Sequence, residues 1–177
     1  FDMRGYPQGT AWLIAPRLTD RSRVVAARFR RPLAYAPPGA SGDVATLGAS
    51  WDFVQYIPDS SAEKYRGRTV MLIDERAMSQ AEHMGLFLKA ANGTTFIGTP
   101  TAGANGDVAR FTIPGGITIS FSGHDIRHPD GRQLQRAGLQ PDIAEDGIRA
   151  IAMADATPYD LILMDMQMPH LDGIEAT

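Results

Sequence analysis

The segment that most limits the fold runs from Val70 to Ile97. Val70 to Ile73 is an unbroken apolar run, the pattern of a buried parallel strand. A polar turn, Asp74 to Met78, follows it. Gln80 to Ala91 then carries Ala81, Met84, Leu88 and Ala91 at helical spacing and stops at Asn92-Gly93. Thr94 to Ile97 is β-branched and aromatic and reads as the next strand. Strand, helix, strand in this order predicts a βαβ unit, with a parallel sheet and a right-handed crossover. The expected fold class is therefore α/β.

Ser79 stands where the turn enters the helix. A hydroxyl there sits at the end of a sheet, backed by the unpaired N–H groups of a helix N-terminus, which can stabilise an oxyanion. The same residue suits an N-cap, since Glu82 three residues on completes a capping-box pattern. The segment alone leaves both roles open.

Around this unit, residues 10–15 read as helix or buried strand, and 23–30 alternate as a strand. Tyr35 to Gly42 is a Pro/Gly/Ala loop. Trp51 to Ile57 is a strand closed by Pro58-Asp59, and Ser60 to Gly67 is polar. Residues 98–106 form a glycine-rich loop, and 108–113 with 117–121 form a hairpin around Pro114-Gly115-Gly116. His128 to Gly131 is a turn. Further on, 144–156 reads as helix, Leu161 to Met164 as a strand ending in Asp165, and Asp172 onward as the start of another helix.

The chain has 177 residues, room for one medium domain or one domain plus a fragment. Its net charge of −3 gives no support to nucleic-acid binding. Arg21, Arg23, Arg28, Arg30 and Arg31 alternate with apolar residues and read as a solvated strand face. The absence of cysteine removes disulfides, thiolate catalysis and cysteine-held metals. No apolar run spans a membrane and no signal peptide is seen. No histidine pair has metal-ligand spacing. Phe1-Asp2-Met3-Arg4-Gly5 reads as a strand end running into a turn, which suggests N-terminal truncation.

Four segments together resemble the S41 family of serine peptidases, the C-terminal processing and tricorn-core group, over residues 1–143. They are Asp2-Met3-Arg4-Gly5, Ser79-Gln80-Ala81-Glu82, Gly98-Thr99-Pro100-Thr101-Ala102-Gly103 and Gly138-Leu139-Gln140-Pro141-Asp142-Ile143. The resemblance implies a crotonase/ClpP-like βαβ core, a polypeptide substrate, no cofactor, an extracytoplasmic location and Ser79 as nucleophile. It implies oxyanion donors from the Gln80 N–H and the Gly5-Tyr6 loop, with Gly103 and Asn105 lining the cleft. A serine needs a base. Processing members use a lysine where this chain has Ala104. Tricorn-like members use an upstream histidine supported by a glutamate, which aligns with Gln135 here. His83 is a weak candidate base, and a surface or packing role fits it better. His124 and His128 sit in a turn region and would reach the site only through tertiary folding.

Residues 144–177 resemble a second family, the flavodoxin-like receiver domains of two-component signalling, truncated at both ends. Ala144 to Ala150, Tyr159 to Pro169 and Leu171 to Thr177 carry that resemblance. It implies Asp165 as phospho-acceptor, the Gln167 carbonyl as a Mg²⁺ ligand, Mg²⁺ binding only in a complete receiver, and a cytoplasmic location. The two families meet between Pro141 and Asp146 with no linker. The expectation is an engineered, recombined or misassembled chain of two partial domains, 1–143 and 144–177. A non-catalytic peptide-binding domain is a third reading of its function.

Overall fold

The computed structural model describes residues 1–32, 50–144 and 151. The expected loop at 35–42, the strand at 161–164, the helix from 172 and both Asp165 and Gln167 lie outside the described residues.

A short helix α1 (Ala11–Ile14) runs into a 3₁₀ turn at Ala15–Arg17. This resolves the ambiguity at 10–15 in favour of helix. Strand β1 (Val25–Pro32) pairs antiparallel with β2 (Ser50–Tyr56). Strand β3 (Val70–Ile73), helix α2 (Gln80–Asn92) and strand β4 (Thr95–Gly98) form the βαβ unit. The hairpin is β5 (Val108–Ile113) and β6 (Ile117–Ser122), followed by β7 (Asp125–Arg127) and β8 (Ile143–Ala144). Ala144, expected to open a helix, is instead in a strand, because its backbone completes a ladder with Gly98.

One sheet has the order β3-β4-β8, all parallel. Phe1 to Met3 extends it along β3: Leu72 N–H donates to Phe1 O (2.8 Å) and Met3 N–H to Leu72 O (3.0 Å). The second sheet has the antiparallel order β2-β1-β7.

Helix α2 packs against both sheets, so its burial runs round the helix. Nine of its thirteen residues are buried. Gly85 lies against Leu139 and Met71, where an added Cβ would come within 2.2 Å of Leu139 Cδ1. On another side His83 meets Phe29 of β1, ring centroids 5.8 Å apart. Strand β3 was expected to be covered on both faces. It alternates instead: Met71 and Ile73 are fully buried, while Val70 is exposed and Leu72 half-buried.

Gly93 ends α2 in the left-handed region. Arg21 reaches its last carbonyls, donating to Ala90 O (2.5 Å) and Ala91 O (3.1 Å), where the helix dipole favours a cation. Arg28 and Arg30, which flank the buried Phe29, are exposed on one face of β1 as alternation requires, and Arg31 is exposed beyond them. In the hairpin, Ala109, Phe111, Ile113, Ile117, Ile119 and Phe121 share one face through their cross-strand register.

Candidate active site

The turn after β3 is built by Asp74. Its carboxylate accepts the Arg76 N–H (2.9 Å) and the Arg76 guanidinium (2.8 and 2.5 Å). Burial pushes the Asp74 pKa up, but Arg76 outweighs it and holds the carboxyl below its ordinary value. The same Asp-x-Arg chelate recurs at Asp2–Arg4 and Asp130–Arg132, each with a backbone N–H and a guanidinium on one carboxylate. Asp125–Arg127 repeats the side-chain half.

Ser79 leaves this turn at φ 50° and ψ −109°. That is left-handed backbone, rare for a residue with a Cβ, and departs from the β-region of an ordinary N-cap. Its N–H donates to Ala104 O (3.2 Å) and to Glu82 Oε2 (3.2 Å), and its carbonyl accepts the His83 N–H (2.9 Å). Its side chain is half-buried, with Oγ 3.4 Å from Tyr6 Oη. Gln80 N–H, at the first position of α2, has no intrahelical acceptor.

Glu82 holds the site together. Its fully buried carboxylate accepts Thr101 Oγ1 (2.6 Å) and Gly103 N–H (2.7 Å) on Oε1, and Ala104 N–H (3.0 Å) and Ser79 N–H on Oε2. Burial raises its pKa and these bonds work against the rise. One side chain thus joins the serine turn to the glycine-rich loop. Thr101 carries the connection onward: its Oγ1 accepts Leu139 N–H (2.8 Å) and its N–H donates to Leu139 O (3.1 Å). Gly103 and Gly138 have φ of 65° and 69°. A Cβ at Gly138 would lie 2.4 Å from Thr101 O, and one at Gly103 2.8 Å from the Arg136 backbone. The four distant segments singled out in the sequence therefore meet in space.

His83 is buried and bonded elsewhere. Gln55 Oε1 lies 2.7 Å from its Nε2 and Asn105 Nδ2 lies 3.5 Å from its Nδ1, which assigns the ring proton to Nε2. Trp12 stacks on the ring at 5.3 Å. Burial lowers its pKa to about 4. Asn105 is buried against this histidine, whereas Gly5 and Tyr6 are exposed on the Ser79 side. His124 packs among Phe29, Trp51 and Phe53, with Nδ1 2.9 Å from Asp107 Oδ2. His128 is half-buried in its turn. Neither ring hydrogen-bonds Ser79. Gln135 is half-buried, its amide oxygen unpartnered among the described residues. A cavity of about 600 Å³ lies between α2 and the 128–142 segment; its lining includes His128 but not Ser79, Glu82, His83, Asn105, His124 or Gln135. Among the described residues no group of three metal-ligating side chains occurs, and no helix is long and apolar enough to cross a membrane.

This fold is that of a peptidase domain. A Parabacteroides merdae protein assigned as a peptidase superposes with a TM-score of 0.63 at 16% identity, covering 82% of this chain and 46% of that one. The photosystem II D1 C-terminal processing protease gives 0.53 at 15%, covering 82% of this chain and 34% of its own. The chain belongs to peptidase family S41, whose family model matches residues 11–145. Residues 124–177 match the response regulator receiver domain. Over 39 residues the chain is 56% identical to the autoinducer 2 sensor kinase/phosphatase LuxQ of Vibrio harveyi, covering 22% of this chain and 4% of that protein. Over 44 residues it is 46% identical to histidine kinase 5 of Arabidopsis thaliana, covering 25% and 5%. The chain thus spans about half or less of those structures and a small fraction of those kinases.

Two features of the site have no distinctive local pattern in the sequence. Glu82 was legible only as a capping residue, because Ser-x-x-Glu reads the same whether the carboxylate caps a helix or anchors a distant loop. The Gly5-Tyr6 loop was expected at the site through the family resemblance, but the approach of the Tyr6 hydroxyl to Ser79 has no local signal, since it depends on Phe1 to Met3 pairing with β3.

Proposed function

We propose that this chain is a serine-type peptidase acting on polypeptides, with Ser79 as nucleophile. The observation that carries the reading is the left-handed Ser79 backbone at the strand–helix junction, a strained conformation of the kind that clusters at functional sites. In the proposed reaction Oγ bonds to the scissile carbonyl carbon, the C–N bond breaks and the Oγ proton ends on the departing amine. Water then releases the acyl group. Gln80 N–H supports the oxyanion, and no cofactor enters. Ala104 and Gln135 offer no base, and His83 is committed to Gln55, so no sustained turnover is expected of this chain by itself. The peptidase unit ends near residue 143 and belongs outside the cytoplasm.

A fluorophosphonate probe tests the assignment. The chain should label at Ser79 and Ser79→Ala should not. A parent that stays unlabelled under excess probe favours a non-catalytic peptide-binding domain. The kinase likeness favours a second reading for residues 144–177, a receiver fragment with Asp165 as phospho-acceptor. Mg²⁺ needs several oxygens, so Asp165 and the Gln167 carbonyl do not make a site by themselves. Acetyl phosphate with Mg²⁺ should leave the chain unphosphorylated; a stable adduct on Asp165 would overturn that expectation.

A further inference from the structure

We propose that the phenol of Tyr6 is a side-chain oxyanion donor, acting alongside the Gln80 N–H. This rests on the Ser79 assignment above. The Tyr6 side chain is 59% exposed, yet its hydroxyl lies 3.4 Å from Ser79 Oγ. That is longer than a formed O–H···O bond, and catalytic contacts tighten only when substrate is bound.

The approach is built by neighbouring structure. Phe1 to Met3 is laid along β3 by backbone bonds to Leu72. The Asp2–Arg4 chelate then turns the chain, with Arg4 Nε 2.9 Å and Nη2 2.8 Å from the carboxylate. Tyr6 leaves this turn beside the C-terminal end of β3, on the edge where parallel sheets bind ligands. Ser79 reaches the same edge from its own turn.

Two oxygens on one tetrahedral carbon lie within about 2.5 Å of each other. A donor near Oγ is therefore close to the place where the oxyanion forms. Productive donors sit about 2.7–3.1 Å from that oxygen, a small torsion away for an exposed phenol. Tyr6 supplies only a hydrogen bond, through its phenolic O–H.

The probe reaction tests this directly. Oγ bonds to phosphorus, fluoride leaves, and the phosphoryl oxygen takes the oxyanion position. Tyr6→Phe removes one oxygen from an exposed ring, so thermal melting should match the parent. Its labelling rate should fall about 10²-fold, the scale of one lost donor, and the ratio to parent should stay constant from pH 6 to 8. A rate within twofold of parent would overturn the donor role. A ratio that falls as pH climbs would also overturn it, by making Tyr6 a proton acceptor. A parent that never labels at Ser79 would bring down the serine assignment, and this proposal with it.

Discussion

Replacing Glu82 with Gln changes almost no volume but breaks the pairing at the centre of the site. The carboxylate accepts from four donors, two on each oxygen. Glutamine keeps one acceptor oxygen. Turned toward Ser79 and Ala104, it retains both of those N–H bonds. Its amide nitrogen then faces Thr101 and Gly103. Thr101 can rotate its hydroxyl and accept, but Gly103 N–H meets another donor. One buried unpaired N–H costs about 1–3 kcal/mol, and the remaining bonds lose their charge-assisted strength. Removing a buried charge offsets part of this, so the expected loss is about 2 kcal/mol. Glu82→Ala removes this acceptor from all four donors, of which Ser79 N–H alone keeps a second one, Ala104 O, and should cost roughly twice as much or more. Urea unfolding should give a lower midpoint with unchanged slope. Burial raises the Glu82 pKa, so the parent loses stability as pH rises through that raised value. The gap between parent and Glu82→Gln should therefore narrow as pH climbs. A variant within about 0.5 kcal/mol of parent at neutral pH would refute the anchoring role.

Ser79→Gly should relieve backbone strain of about 1–3 kcal/mol, against about 0.5–1 kcal/mol of added chain entropy on unfolding, and so raise or hold stability while abolishing probe labelling. Clear destabilisation in urea would mean that the backbone there is not strained. The His83 ring should remain neutral at pH 5.5 by NMR, because its pKa is near 4 in the fold against an ordinary 6.5. This contribution is complete above pH 6.5 and is lost as pH falls toward 4, about 3 kcal/mol in all; a ring titrating near 6.5 would contradict it. Gly138→Ala combines positive φ with a close approach to Thr101 O, and should lower the unfolding midpoint by more than Gly115→Ala, which has open space around it.

The sequence carried the βαβ unit because its signals are local: an apolar run, helical spacing and an Asn-Gly stop. It also carried the hairpin and the place of Ser79. The three-residue β7 and two-residue β8 are too short for any periodicity to mark them. Ala11–Ile14 stayed ambiguous for the same reason. The Asp-x-Arg chelates are visible as spacings at 2/4, 74/76, 125/127 and 130/132, and any survey of two-residue charge pairs would find them. What no local pattern could give is the meeting of residues 82, 101 and 139, separated by 19 and 38 positions.

Asp142 has a consequence for where the sheet ends. Its N–H donates to Phe96 O (2.8 Å) and its carboxylate takes the Phe96 N–H (2.7 Å) and Lys89 Nζ (2.7 Å). The pairs Ile97–Ile143 and Gly98–Ala144 begin immediately after it. A two-residue parallel pairing has little of its own to resist sliding, and a slip of one residue would turn each side chain to the opposite face. Asp142 acts as a register pin: a slipped strand would have to unseat a carboxylate from both a strand amide and a helix lysine before it moved at all.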